Sequence, residues 1–254
     1  MTSQQYDLSL LGEYSFLIHS YEADFDTKAK FSGLCHFLQE SAWNHAESIG
    51  MGFQTLLDDK KLWVLSRLYF ELDEYPHWGD TIKVQTWPKG TDGLFALRDF
   101  YVLDQSDKII GKATSAWLVL DTEQRRPQRL DHFYEDRKFL TQRHAVNKSL
   151  KKIPFSGNNE PAPFHQVRYS DLDVNQHVNN VKYIEWLCDL CSDRLFAGSE
   201  IHDLEINFLS ECKAGDMILA TKNEQPDLSG QISAMLVREN DKKDICKAKI
   251  GFRK

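Results

Sequence analysis

The amino-acid sequence predicts an α+β protein of two similar halves, each an antiparallel sheet wrapped around one central helix, paired as a pseudo-dimer within one chain. Three observations lead there. The stretch DFDTKAKFSGLCHFLQE, residues 24–40, is echoed by DLDVNQHVNNVKYIEWL, residues 171–187. Each echo is followed by strand-like segments in the same order. Between the halves lies PFSGNNEPAP, residues 154–163, whose Pro, Gly and Asn suit a connector rather than an element.

The first echo runs into a helical period. Leu34, Phe37, Leu38, Ser41, Ala42, His45 and Ile49 follow the spacing of one helix face. An extra stretch, GMGFQTLLDDKK, comes next, then the strand-like LWVLSRLYFEL, DTIKVQTW, LFALRDFYVLD and KATSAWLVLD. In the second half Val181, Ile184, Cys188 and Cys191 repeat the helical spacing. DLEINFLSE, DMILATKNE, ISAMLVREN and ICKAKIGFR follow as strands. A Gly-Asp pair, Gly79-Asp80 and Gly215-Asp216, opens the second strand of each set. The expected domains are residues 1–150 and 164–254, with 151–163 as linker. Either half alone is small and leaves a sheet edge unpaired, so pairing the copies hides edges.

Composition narrows the function classes. The formal charge of -7 argues against nucleic acid as a partner. No apolar run reaches the ~18 residues of a membrane span. The N-terminus lacks the basic start and apolar core of a signal or transit peptide, so a cytoplasmic location is expected. Five scattered cysteines fit reduced thiols. Charge is uneven, however. Residues 123–152 hold nine Lys and Arg against four acids, a local +5 that suits either a solvated connector or a surface for an acidic partner.

The copies differ where chemistry could sit. Six polar groups crowd the second echo before its helix, an expensive arrangement if they were merely buried. With Asp26 aligned to Asp173, Asn175 matches Lys28 and His177 matches Lys30. With Gly79 aligned to Gly215, Glu211 and Cys212 match Tyr75 and Pro76. Only the second copy carries Asn, His, Glu and Cys together. One active site is therefore expected, in the second copy, the first being kept for shape or for holding a ligand. The plainer alternatives are an Asp173 or Asn175 helix cap, a structural His177, a surface Glu211 and a core-filling Cys212. A calcium loop starting at Asp171 is excluded, because Gln176 and Lys182 stand where Gly and Glu are required. No zinc spacing is present. The Cys188–Cys191 pair lies in an apolar helical run and reads as packing. The nucleophile-elbow, P-loop and dinucleotide motifs are absent.

The stretch DLDVNQHVNNVKYIEW resembles the signature of plant-type acyl-acyl carrier protein (acyl-ACP) thioesterases. LQESAWNHAESIGMGF, LWVLSRLYFELDEYPHWGDTIKVQTWP and SAWLVLDTEQRRPQRL resemble the family's N-terminal half, and FLSECKAGD its Glu-Cys strand. The resemblance covers most of the chain and points to the family's bacterial branch. It implies a tandem hot-dog fold and release of free fatty acid from the carrier. It places the catalytic Asp, Asn, His, Glu and Cys on Asp173, Asn175, His177, Glu211 and Cys212. No cofactor or metal is called for, and the implied partner is acyl carrier protein with a phosphopantetheine-linked acyl chain. Association into a homodimer through the sheets is a further expectation.

Two schemes fit these residue types. In one, Glu211 and His177 position and deprotonate a water, Asn175 holds the arrangement or donates to the oxyanion, and Asp173 orients neighbours. Free N–H groups of the helix beginning near Asn179 or Asn180 would then face the carbonyl oxygen. In the other, Cys212 attacks, activated by His177 and oriented through Asn175. The carboxylate beside Cys212 disfavours a thiolate and so favours the first. Leu34, Phe37, Leu38, Ala42 and Trp43 are the candidate acyl-chain lining. Arg125, Arg126 and Arg129 are the candidate carrier contacts. Two alternatives stand beside this reading: an acyl-CoA thioesterase, and a non-catalytic acyl-binding module.

Overall fold

The computed structural model describes residues 10–130, 139–155, 157, 159–224 and 230–254. Their chain order is β1 (Gly12–Leu17), α1 (Phe31–Ser48), α2 (Phe53–Asp58), β2 (Lys61–Leu72), β3 (Thr81–Asp92), β4 (Phe95–Leu103) and β5 (Ile109–Asp121). Then come β6 (Ala162–Gln166), α3 (Asn180–Leu190), α4 (Ser192–Phe196), β7 (Glu200–Phe208), β8 (Met217–Glu224), β9 (Gln231–Arg238) and β10 (Asp244–Arg253). Two compact units divide the chain. One takes the described residues up to Ser66 and Leu72–Ser149; the other takes Arg67–Glu71 and Leu150–Lys254.

The first unit orders its strands β1-β3-β4-β5-β2. The pairings of β1 with β3, β3 with β4 and β4 with β5 are antiparallel. The second orders them β7-β10-β9-β8-β6, and Arg67–Glu71 of β2 pairs with β7. Each unit therefore opens with a strand that sequence periodicity did not announce. β1 and β6 have only six and five residues, too few for a period to emerge. β6 also carries Pro163, a residue that edge strands tolerate.

The stretch expected to link the halves has partners of its own. Ile153 is buried, and its N–H donates to Asn207 Oδ1 at 2.8 Å. Just before this stretch, the carbonyl of Leu150 accepts from Arg67. Ala162 and Pro163 pair with Ala220 and Leu219 in the β6–β8 ladder.

Helix α1 packs on β1 and β3. Its apolar stripe is buried as the spacing predicts: Leu34, Phe37, Leu38 and Ala42 lie inside, with Phe37 stacked on Phe16 at 4.6 Å. Trp43 departs from the expectation. It is 44% exposed and stacks on Phe53, because its helical position falls off the buried stripe. The extra stretch after α1 is α2, and Leu56 from it joins Ala96, Val119 and Leu130 in an apolar cluster capped by Trp63 and Trp117.

This unit also buries charge. Lys89 Nζ lies 2.8 Å from Asp99 Oδ1 with both side chains nearly sealed off, and Asp99 Oδ2 accepts from the Ala145 N–H. His45, on the buried stripe of α1, meets Arg98 at 2.8 Å through Nδ1. Its ring lies over Gly12, where an added Cβ would come within 2.7 Å of it. Burial first, and the Arg98 charge second, push the His45 pKa down to about 3.

The folded unit therefore keeps His45 neutral where the unfolded chain would protonate it. Its contribution to stability is complete above pH ~6.5 and is lost as pH falls from there toward 3. His45→Gln keeps an acceptor for Arg98 but cannot titrate. The stability advantage of the natural protein over this variant should shrink by about 2 kcal/mol between pH 7 and pH 5 in urea unfolding.

Candidate active site

The second echo folds into a hydrogen-bonded turn. Asp173 Oδ1 accepts from the N–H of Asn175 at 2.8 Å and of His177 at 3.3 Å. The Asp173 N–H donates to the His177 carbonyl, and Gln176, at φ 62°, reverses the chain. Positive φ is uncommon for a residue with a side chain, and the Asp173 bonds hold it there. Asn179 then caps α3, its Oδ1 accepting from Val181 N at 2.9 Å. The cap is thus Asn179 rather than Asp173 or Asn175. It also commits donors expected to face substrate: Val181 N binds the cap side chain and Lys182 N binds the Asn179 carbonyl.

The same turn stands in the first copy, and its bonds correct the alignment. Asp24 Oδ1 accepts from Asp26 N and Lys28 N, and Thr27 takes φ 63°. Lys30 is the residue before α1, as Asn179 is before α3. Asp173 therefore matches Asp24, not Asp26, and His177 matches Lys28, not Lys30. The sequence alignment slipped by two residues because Asp-X-Asp supplies two candidate anchors and only the hydrogen bonds choose between them. The match of Glu211 and Cys212 to Tyr75 and Pro76 holds: Val178 N donates to Cys212 O just as Ala29 N donates to Pro76 O. The Gly-Asp turns also agree, with Gly79 and Gly215 at φ 90° and 87°.

The structure brings His177 and Glu211 together, with Nε2 3.5 Å from Glu211 Oε2. That is longer than a direct N–H···O bond and is an electrostatic contact able to tighten. Both groups are partly exposed. Asn175 is exposed on the turn. Glu211 and Cys212 do not lie on the strand, as expected, but beyond its end. Leu209 N and Ser210 N both bond Ile245 O, which breaks the ladder and frees the following residues to turn.

Cys212 is fully buried. Burial pushes its thiol pKa up to about 11, against opposing contributions from the Tyr183 hydrogen bond and the Arg238 charge. Two residues that the motif did not flag hold this segment. Tyr183, from α3, accepts from Cys212 N at 3.1 Å. Arg238, from β9, donates to the Glu211 carbonyl. His165 forms another contact of this unit, 2.9 Å from buried Asp171 and tilted against the Trp186 ring at 4.6 Å. Comparing α3 with α1 would have exposed Tyr183, which replaces Leu34; Arg238 lies on a separate hairpin and gave no local signal.

Leu34, Phe37, Leu38 and Ala42 belong to the core of the first unit. Arg125, Arg126 and Arg129 are exposed on and after a turn fixed by Asp121, whose Oδ1 accepts from Glu123 N and Gln124 N. Arg143 does not extend the basic strip: its guanidinium lies 4.3 Å from the Trp87 ring centroid and bonds Gln85. Arg137 and Lys138 lie outside the described residues. Among the described residues no group of three or more His, Cys, Asp or Glu could hold a metal ion, and no helix is long and apolar enough to cross a membrane.

Residues 11–136 match the family model of the acyl-ACP thioesterase N-terminal domain, and residues 158–254 that of the C-terminal domain. Oleoyl-acyl carrier protein thioesterase 2 of Arabidopsis thaliana is 32% identical over 84% of this chain and 63% of its own length. A dodecanoyl-[acyl-carrier-protein] hydrolase of Cinnamomum camphora is 29% identical over 94% of this chain and 66% of its own. The chain thus spans slightly less than two thirds of the length of such curated relatives. Among solved structures, an acyl-ACP thioesterase from Bacteroides thetaiotaomicron superposes with a TM-score of 0.87 at 28% identity, covering 98% of this chain and 100% of the other. The 12:0-ACP thioesterase of Umbellularia californica gives 0.81 at 25% identity, covering 96% and 97%. The fold is the tandem hot-dog fold of these enzymes, and the chain belongs to the acyl-ACP thioesterase family.

Proposed function

We propose that the protein hydrolyses the thioester of a fatty acyl-acyl carrier protein to free fatty acid and carrier, ending chain extension. The observation that carries this reading is the His177–Glu211 pair, 3.5 Å apart and partly open to solvent, in a chain of this family. A thioester carbonyl is already electrophilic, so the protein must supply an activated water and a donor for the developing charge. His177 and Glu211 take a proton from water as it attacks the carbonyl carbon. The carbon–sulfur bond then breaks, and the departing phosphopantetheine thiolate receives the proton. Asn175, on the same turn, orients the water or donates to the oxyanion. Asp173 acts through the backbone, holding the N–H groups of Asn175 and His177.

The buried Cys212 supports the water scheme over the covalent one. A thiol with a pKa near 11 is almost wholly protonated at neutral pH, and the thiolate is the nucleophilic form. Exposed Arg125, Arg126 and Arg129 are the proposed contacts for the acidic carrier. The proposed acyl-binding site runs along the apolar face of α1, where the acyl chain would part the packing of Leu34, Phe37, Leu38 and Ala42 in the core. A cytoplasmic location agrees with five free cysteines, four of them buried.

Turnover of matched acyl-ACP and acyl-CoA series tests the reading. His177→Ala and Glu211→Gln should each lower kcat on acyl-ACP by about a hundredfold or more. Cys212→Ala should stay within about tenfold of the natural protein. Abolished activity in a folded Cys212→Ala protein would move the mechanism to the covalent scheme. Preference for the coenzyme A series would reassign the substrate, and absence of turnover on both would leave a non-catalytic acyl binder.

Reversing Arg125, Arg126 and Arg129 to Glu should raise KM for acyl-ACP at least about tenfold, and more at low salt, while leaving small thioesters nearly unaffected. Equal losses on both substrates would remove these residues from carrier docking.

A further inference from the structure

We propose that Tyr183 and Arg238 are positioning residues that clamp the Glu211–Cys212 peptide from its two sides and so set the separation of Glu211 from His177. The inference rests on His177 and Glu211 being the catalytic pair. A peptide unit is planar and carries one acceptor and one donor. Here each has a dedicated side chain. The Glu211 carbonyl accepts from Arg238 Nη1, and the Cys212 N–H donates to Tyr183 Oη at 3.1 Å. With both polar groups held, the peptide plane cannot rotate, and the Glu211 Cα that belongs to it is fixed.

Each clamping residue is itself immobilised. Arg238 makes a two-pronged contact with Asp241, Nε to Oδ1 at 3.0 Å and Nη2 to Oδ2 at 2.8 Å, and its Nη1 is 3.9 Å from Asp216. A planar guanidinium held by its fork has little freedom left. Tyr183 is buried, its ring edge-on to Trp186 at 5.3 Å and tilted to Phe208 at 6.1 Å. The next carbonyl along, that of Cys212, accepts from Val178 N at 3.0 Å. Since Val178 follows His177, the clamp bears on both members of the pair.

The first copy is an internal control. Its equivalent peptide joins Tyr75 to Pro76, and proline has no N–H to donate. Leu34 replaces Tyr183, so the acceptor is missing where the donor is missing. Asp104 replaces Arg238: Lys83 pairs with Leu103 as Leu219 pairs with Val237, and Asp104 N donates to Lys108 O as Arg238 N donates to Lys243 O. The turn, the Gly-Asp reversal and the Val178-type bond survive in both copies. The clamp occurs only in the copy with the carboxylate and the imidazole. A device needed simply to fold the unit would have no reason to vanish with them.

The test uses the full chain with Tyr183→Phe, Arg238→Met and Arg238→Lys. Tyr183→Phe and Arg238→Met should each lower kcat on acyl-ACP about ten- to hundredfold, with KM within about twofold, since misplacing a reacting group costs rate rather than binding. Arg238→Lys restores a donor and should recover most of the loss. Hydrogen exchange at the Cys212 amide should accelerate in folded Tyr183→Phe. An unchanged kcat per folded molecule in both Tyr183→Phe and Arg238→Met overturns the proposal. If the natural chain hydrolyses neither thioester, it is the catalytic reading that fails. The crystal structure of Tyr183→Phe then decides the clamp: a widened His177–Glu211 separation supports it, and an unchanged one overturns it.

Discussion

A single carboxylate oxygen organises the turn ahead of α3. Asp173 Oδ1 takes two backbone N–H groups, those of Asn175 and His177. These bonds let Gln176 sit in the left-handed region, where a residue with a side chain is otherwise disfavoured. The reversal brings His177 out of the turn just before Val178 bonds the Cys212 carbonyl. Glu211 is thereby placed beside the imidazole. Helix α3 can then start immediately, capped by Asn179. The crowded polar residues ahead of the helix are therefore not a burial penalty. Asp173 folds the turn, Asn179 caps the helix, buried Asp171 is paired with His165, and Asn175 faces solvent.

The two copies show which parts of a duplicated fold carry shape and which carry chemistry. The turn bonds are between a carboxylate and backbone groups, so they survive almost any change of neighbouring side chain. Asp24 keeps the turn although Lys28 stands where His177 stands in the other copy. Side chains that point away from the backbone network were free to diverge. The first unit buries His45 beside Arg98 and Lys89 beside Asp99, whereas the second unit leaves His177 and Glu211 partly exposed.

Cys212 illustrates how burial can outweigh position. It sits next to Glu211 and close to Arg238, and a nearby guanidinium would ordinarily favour a thiolate. Full burial dominates and keeps the thiol protonated. Its clearest contribution is through the backbone: its N–H and C=O anchor Tyr183 and Val178.

Much of this was legible in the sequence. The echoed segments, the helical stripe of α1 and the Gly-Asp turns follow from local periodicity and backbone preference, which neighbours in sequence determine. The resemblance to acyl-ACP thioesterases picked out His177 and Glu211. Tertiary structure decided the rest. β1 and β6 are too short to show a period and exist because β3 and β8 offer them partners. The two-residue slip between the copies was resolved only by which Asp accepts the turn's N–H groups. Trp43 left the buried stripe because one helical step turns a side chain by about 100°. Arg238 met Glu211 because a hairpin far along the chain folds back onto it. Contacts of that kind depend on long-range register, and no local pattern of residues encodes them.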